Sequence, residues 1–139
     1  MVHRTRSAGT YKRHSKAPRI CGIEARKVIG FATYHVANDE KTAELSWIGM
    51  WPEFHRTGIG RALVNAIEAD LAQRGVQALV VSTVASTVEY EPYARTRRFY
   101  RAIGFSNVQV DMKWYPSGDD RLLLRKQSFK KPHVQSQAY

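Results

Sequence analysis

A chain of 139 residues has room for one domain around one core, and a hydrophobic content of 43% is enough to pack it. No apolar run approaches the roughly 20 residues that span a bilayer, and one cysteine, Cys21, excludes both an internal disulfide and a cysteine-rich zinc site. The formal net charge of +10 favours anionic partners, with a phosphate-rich nucleotide cofactor, an acidic protein and RNA all compatible.

Met1 to Arg19 carries Arg4, Arg6, Lys12, Arg13, Lys16 and Arg19 with no acidic residue, and reads as a basic flexible arm over residues 1–19. It lacks the apolar stretch of a secretory signal, so the expected compartment is the cytoplasm. A single domain is expected over residues 20–127, followed by a polar tail over 128–139. Ile20 to Ala25 and Val28 to Val36 are short apolar stretches separated by Arg26-Lys27, as in two antiparallel strands joined by a tight turn. Glu44 to Met50 reads as a third strand, and a loop begins at Pro52. Between Gly58 and Arg74 the residues Ile59, Leu63, Ile67 and Leu71 recur every four positions, with Ala62 and Ala66 in the same stripe, which predicts an amphipathic helix. Gly75 stands where a helix C-terminus calls for a left-handed residue. Ala78 to Val84 is apolar on both faces, as a central strand should be. Glu91-Pro92 opens a second helix with Tyr93, Thr96, Phe99, Tyr100 and Ile103 on one side, ended by Gly104. Asn107 to Tyr115 and Arg121 to Lys126 then form a closing hairpin around Pro116-Ser117-Gly118-Asp119-Asp120. The order is β-β-β-α-β-α-β-β.

The motif richest in chemistry is His55-Arg56-Thr57-Gly58-Ile59-Gly60-Arg61-Ala62, set between a strand and the first helix. Two glycines let a ligand approach the backbone, and the first amides of a helix converge as unpaired donors at its positive dipole end. Such a helix start binds anions. Neither the P-loop pattern nor Gly-x-Gly-x-x-Gly is present. What the stretch Trp47 to Ala62 resembles is motif A of the GNAT acetyltransferases, whose Q/R-x-x-G-x-G/A pattern binds the pyrophosphate of coenzyme A. Gly58 and Gly60 match the glycines, and His55 stands where glutamine or arginine is usual. Arg98-Phe99-Tyr100-Arg101-Ala102-Ile103-Gly104-Phe105 resembles the family's F-Y-x-x-x-G-F signature, with Tyr93 and Thr96 in place of the Asn-x-x-Ala of many relatives. Family members usually begin with a strand and two helices, for which Met1 to Arg19 holds too little apolar sequence.

The resemblance implies an α/β fold with a mixed, mostly antiparallel sheet, a central β-α-β unit for acetyl-CoA and a C-terminal hairpin. It implies an N-acetyltransferase that moves an acetyl group to a primary amine on a small molecule or protein by direct attack in a ternary complex. Acetyl-CoA would lie between splayed strands, touching backbone groups of Ile48 and Met50 and the cradle of His55, Arg56, Thr57, Gly58, Ile59, Gly60 and Arg61. Counted back from the cradle, Glu44 falls at the position of the family's catalytic base, with Glu53 and Glu89 as weaker alternatives. Tyr100 falls at that of the acid that protonates the leaving thiolate. Trp47, Trp51, Trp114 and Tyr115 read as core aromatics or as an acceptor pocket. His35 and His55 read as isolated, and no metal is expected. A non-catalytic acyl-CoA-binding module and a basic RNA-associated protein are the alternative functions, and a homodimer and RNA stay open as partners.

Overall fold

The structure is a computed structural model and describes residues 4–8, 19–24 and 27–127. Its centre is a seven-stranded sheet of order β1-β2-β3-β4-β5-β7-β6. The strands are β1 (Arg4–Ala8), β2 (Arg19–Glu24), β3 (Lys27–Val36), β4 (Thr42–Met50), β5 (Ala78–Val84), β6 (Ser106–Asp111) and β7 (Arg121–Gln127), with helices α1 (Ile59–Gln73) and α2 (Glu91–Ala102). Every neighbouring pair is antiparallel except β4 and β5, which are joined through α1. This is the mixed sheet with a central β-α-β unit and a C-terminal hairpin that the sequence implies.

The core follows from two periodicities. Along α1 the buried side chains are Ile59, Leu63, Val64, Ile67 and Leu71, one helical face. Along β3 and β4, Ala32, Tyr34, Ala43 and Leu45 point to that face and are buried. The hydroxyl of the fully buried Tyr34 donates to Asp70 Oδ2 at 2.5 Å, which bolts α1 to the sheet without leaving the phenol unpaired. Gly75, with φ 75°, turns the chain out of α1, as its position in the sequence predicts.

Three features depart from the sequence reading. Within the arm expected over residues 1–19, Arg4–Ala8 forms an edge strand paired with β2. Edge pairing uses backbone groups and asks little of side chains, so a basic, weakly apolar segment gives no periodic signal of it. The rest of that arm, and the tail expected over 128–139, lie outside the described residues. The hairpin strand expected over Asn107 to Tyr115 ends at Asp111, because Lys113 adopts φ 51° and its amide is taken by Asp120 instead of a strand neighbour. Finally, Arg97 is buried on α2, where its Nη1 donates to the carbonyl of Val84 at 2.8 Å and fastens the helix to the end of β5.

Candidate active site

The parallel pairing of β4 with β5 runs only from Thr42 opposite Ala78 to Leu45 opposite Val81. Beyond it the strands part, while β4 continues along β3 to Met50 and β5 along β7 to Val84. The amide of Trp51 donates to Ile29 on the β3 side at 3.1 Å. Alternation along the strand therefore turns the N–H and C=O of Met50, and of Ile48 two residues earlier, into the opening. A wedge of free strand edge results, suited to an extended ligand that adds to the sheet.

The same end of the sheet holds the glycine motif. After β4 the chain makes a short 3-10 turn at Pro52–Phe54, where Thr57 Oγ1 donates to the Phe54 carbonyl at 2.5 Å. Arg56 (φ 63°) and Gly58 (φ 87°) take left-handed conformations that bend the chain into α1. The first helical bond runs from Ala62 N–H to the Gly58 carbonyl, and no side chain caps the helix, so the amides of Ile59, Gly60 and Arg61 are free to meet an anion.

The two glycines serve different ends. A Cβ built on Gly58 meets nothing within 4 Å, so its place faces open space. A Cβ on the buried Gly60 would lie 2.8 Å from the Phe99 ring and 3.1 Å from Met50 Cε, so this glycine lets α1 pack against α2 and β4. His55, Arg56, Thr57 and Arg61 are exposed around the cradle.

Glu44 lies on β4 between the buried Ala43 and Leu45, so its carboxylate projects from the face opposite α1. It stands across from His35, whose Nε2 is 3.8 Å from Glu44 Oε2 and whose Nδ1 is 3.1 Å from Ser46 Oγ. The structure thus pairs a histidine that reads as isolated with the candidate base. The signal was the β3–β4 hairpin register, which residue spacing alone does not reveal. Glu53, in the 3-10 turn, and Glu89, just before α2, are exposed.

Tyr100 is packed edge-on against Phe105 and beside Phe99, only 4% exposed, and burial pushes its phenol up to about 12. Of the aromatics that read as core or pocket, Trp47, Trp51 and Trp114 are all more than half exposed, and Tyr115 is partly buried. Arg121 lies 3.7 Å above the Trp114 ring and donates to Asp111 Oδ2 through Nε and Nη2 at 2.8 and 2.5 Å. The Tyr115 phenol is shifted upward, first by burial, and it feels the charges of Arg121 and Glu44. Arg121 Nη1 reaches Ser82 Oγ at 3.4 Å, and Ser82 shares a face of β5 with Val80, the residue opposite Glu44, so Arg121 and the Trp114 ring stacked on it lie on the Glu44 face. Among the described residues no three His, Cys, Asp or Glu side chains gather as metal ligands, and no helix is long and apolar enough to cross a membrane.

A family model described as the acetyltransferase (GNAT) family matches residues 3–105. The chain is 33% identical over 95 residues to the ribosomal protein bS18-alanine N-acetyltransferase of Escherichia coli K12, covering 68% of this chain and 59% of that one. Among solved structures, a GNAT-family protein from Desulfovibrio desulfuricans aligns with a TM-score of 0.73 and 31% identity over 80% of this chain and 68% of its own. The Escherichia coli ribosomal-protein-S18-alanine N-acetyltransferase aligns at 0.67 with 25% identity, over 83% and 71%. A GNAT family acetyltransferase from Elizabethkingia anophelis with acetyl-CoA bound shares the fold at 0.68 and 18% identity, over 90% and 96%.

Proposed function

The chain belongs to the acetyltransferase (GNAT) family, and from that premise we propose that it moves an acetyl group from acetyl-CoA to a primary amine by direct attack in a ternary complex. One observation carries this reading. The unpaired edge of β4 at Ile48 and Met50 lies where β4 and β5 part, with the uncapped amides of α1 at the same end of the sheet and Glu44 in the last paired stretch, on the opposite face.

When bound, acetyl-CoA supplies an activated acyl group as a thioester. The free amides of Ile59, Gly60 and Arg61 would hold its phosphates, with no side chain at Gly58 to crowd them. Ile48 and Met50 offer backbone groups to an extended arm, and the Met50 N–H would stabilise negative charge on a carbonyl oxygen. Glu44 takes the proton of the incoming amine, directly or through water. Alignment of the two reactants supplies much of the remaining rate.

Tyr100 acts at the sulfur. A phenol near 12 stays protonated at neutral pH, and because a free thiol titrates near about 8.5, it serves as a hydrogen-bond donor to the departing sulfur more readily than it surrenders the proton. Tyr100→Phe is therefore expected to lower kcat about tenfold while the affinity for acetyl-CoA, read by calorimetry, stays within about twofold. Unaltered turnover where chemistry limits the rate would remove Tyr100 from the mechanism.

The acceptor follows from similarity. The Escherichia coli relative is named for alanine of ribosomal protein bS18, so peptides that begin with alanine are the first acceptors to test, beside small primary amines. Release of free thiol from acetyl-CoA, with mass-spectrometric detection of the acetylated amine, decides the function. A protein that binds acetyl-CoA yet acetylates no peptide or amine in such a panel would instead be a non-catalytic acyl-CoA-binding module.

A further inference from the structure

Asp120 ties the loop between β6 and β7 to the segment after β5. Asp120 is 8% exposed, and its carboxylate joins two segments that do not otherwise share secondary structure. Oδ1 accepts the amide of Lys113 at 2.8 Å, and Oδ2 accepts the hydroxyl of Thr87, in the segment after β5, at 2.7 Å. Its own carbonyl accepts the amide of Ala85 at 2.9 Å. Lys113 takes φ 51°, a left-handed conformation that a non-glycine residue keeps only when its surroundings enforce it. Between these anchors the loop closes on itself: Tyr115 N–H donates to the Asp119 carbonyl at 3.1 Å and Gly118 N–H to the Tyr115 carbonyl at 2.8 Å.

Position gives this clip a consequence. Val84 at the end of β5 stands opposite Arg121 at the start of β7, so both tied segments lie at the end where β4 and β5 part. The loop carries Trp114, on which Arg121 stacks, and Tyr115. Arg121 also reaches Ser82 Oγ, at 3.4 Å, in the part of β5 that has separated from β4. The face concerned is the one from which Glu44 projects, away from α1 and its cradle.

We propose that Asp120 is a positioning residue for the acceptor: it locks the β6–β7 loop against the Ala85–Thr87 segment, so that Trp114 and Tyr115 form a fixed wall beside Glu44 for the incoming amine. This rests on the acetyltransferase reading. Asp120 touches neither reactant, so its loss alters how well the acceptor is held, while the cradle on the opposite face is unaffected.

The test uses the full chain, acetyl-CoA and an alanine-initiated peptide. Asp120→Asn cannot accept the Thr87 hydroxyl at the amide nitrogen, and the peptide KM is expected to rise about tenfold, the scale of one charge-assisted hydrogen bond. The value of kcat and the calorimetric affinity for acetyl-CoA should stay within about twofold. Thr87→Val, at an exposed position, removes only the Oδ2 donor and should raise KM in the same direction. The double variant should be little worse than Asp120→Asn, since both remove one contact. In variants that keep Trp114 as the sole tryptophan, iodide quenching of its fluorescence should increase when Asp120 is changed.

An unchanged peptide KM in folded Asp120→Asn, or a fall in kcat at constant KM, overturns the proposal, as do additive effects in the double variant. Should Asp120→Asn not fold, Thr87→Val alone decides by the same KM criterion. If the wild-type chain acetylates nothing, the acetyltransferase reading fails by itself and takes the acceptor role with it. Quenching of Trp114 unaffected by Asp120→Asn would refute the clip independently.

Discussion

Gly58→Val is expected to raise the dissociation constant for acetyl-CoA at least about a hundredfold, about 2.7 kcal/mol, in a protein that still folds. Gly58 is exposed at φ 87°, and nothing in the protein lies within 4 Å of the place a Cβ would occupy. If the free amides of Ile59, Gly60 and Arg61 hold the phosphates, a branched side chain next to them would obstruct the close approach. The left-handed backbone adds strain of roughly 1–2 kcal/mol for a side-chain-bearing residue, which tilts the loop away from the conformation that gathers those amides. Gly60→Ala should fail differently. Its Cβ would collide with Phe99, so it should lose stability by about 1–3 kcal/mol through overpacking. His55→Ala should weaken binding only modestly, because His55 contributes an exposed side chain to a cradle built from backbone. Calorimetry on folded Gly58→Val decides the matter, and normal acetyl-CoA binding there would refute the phosphate cradle.

Glu44→Gln should lower kcat/KM with the acceptor amine about a hundredfold near neutral pH, the usual range for a lost general base. Fold and acetyl-CoA affinity should be preserved, since the amide is isosteric and Glu44 lies on the face opposite the cradle. The pH profile separates a base from a surface carboxylate. A primary amine is largely protonated at pH 7, and under the proposed mechanism the wild-type carboxylate would remove its proton. As pH rises toward the amine's own pKa, more acceptor arrives neutral and the variant should recover part of the deficit. His35 sharpens the reading, because its Nε2 lies 3.8 Å from the Glu44 carboxylate. A variant with the wild-type profile and rate would return Glu44 to the role of a surface partner for His35.

The glycine cradle and both helices were legible in the residues because each is local. Gly58, Gly60 and the four-residue spacing of Ile59, Leu63, Ile67 and Leu71 act within one turn or a few. His35 beside Glu44 was not legible, since the pairing depends on the register that the turn between β3 and β4 sets, with Val36 opposite Ala43 and His35 opposite Glu44. Nor was the burial of Arg97, which depends on the Val84 carbonyl reached through a fold contact. Trp47, Trp51 and Trp114 read more readily as core than as an acceptor pocket, yet all three are exposed, because residue type does not say which face of the sheet is covered.

By itself, then, the sequence determined the family, the order of the main strands and helices, and the glycine-flanked start of α1, all of which follow from short-range spacing and from what glycine alone permits. Only the tertiary structure decided where β4 and β5 part, that Gly60 serves packing while Gly58 faces open space, and that Asp120 ties two loops beside Glu44. These depend on residues far apart in the chain being brought together by strand register and core packing, which no local pattern encodes.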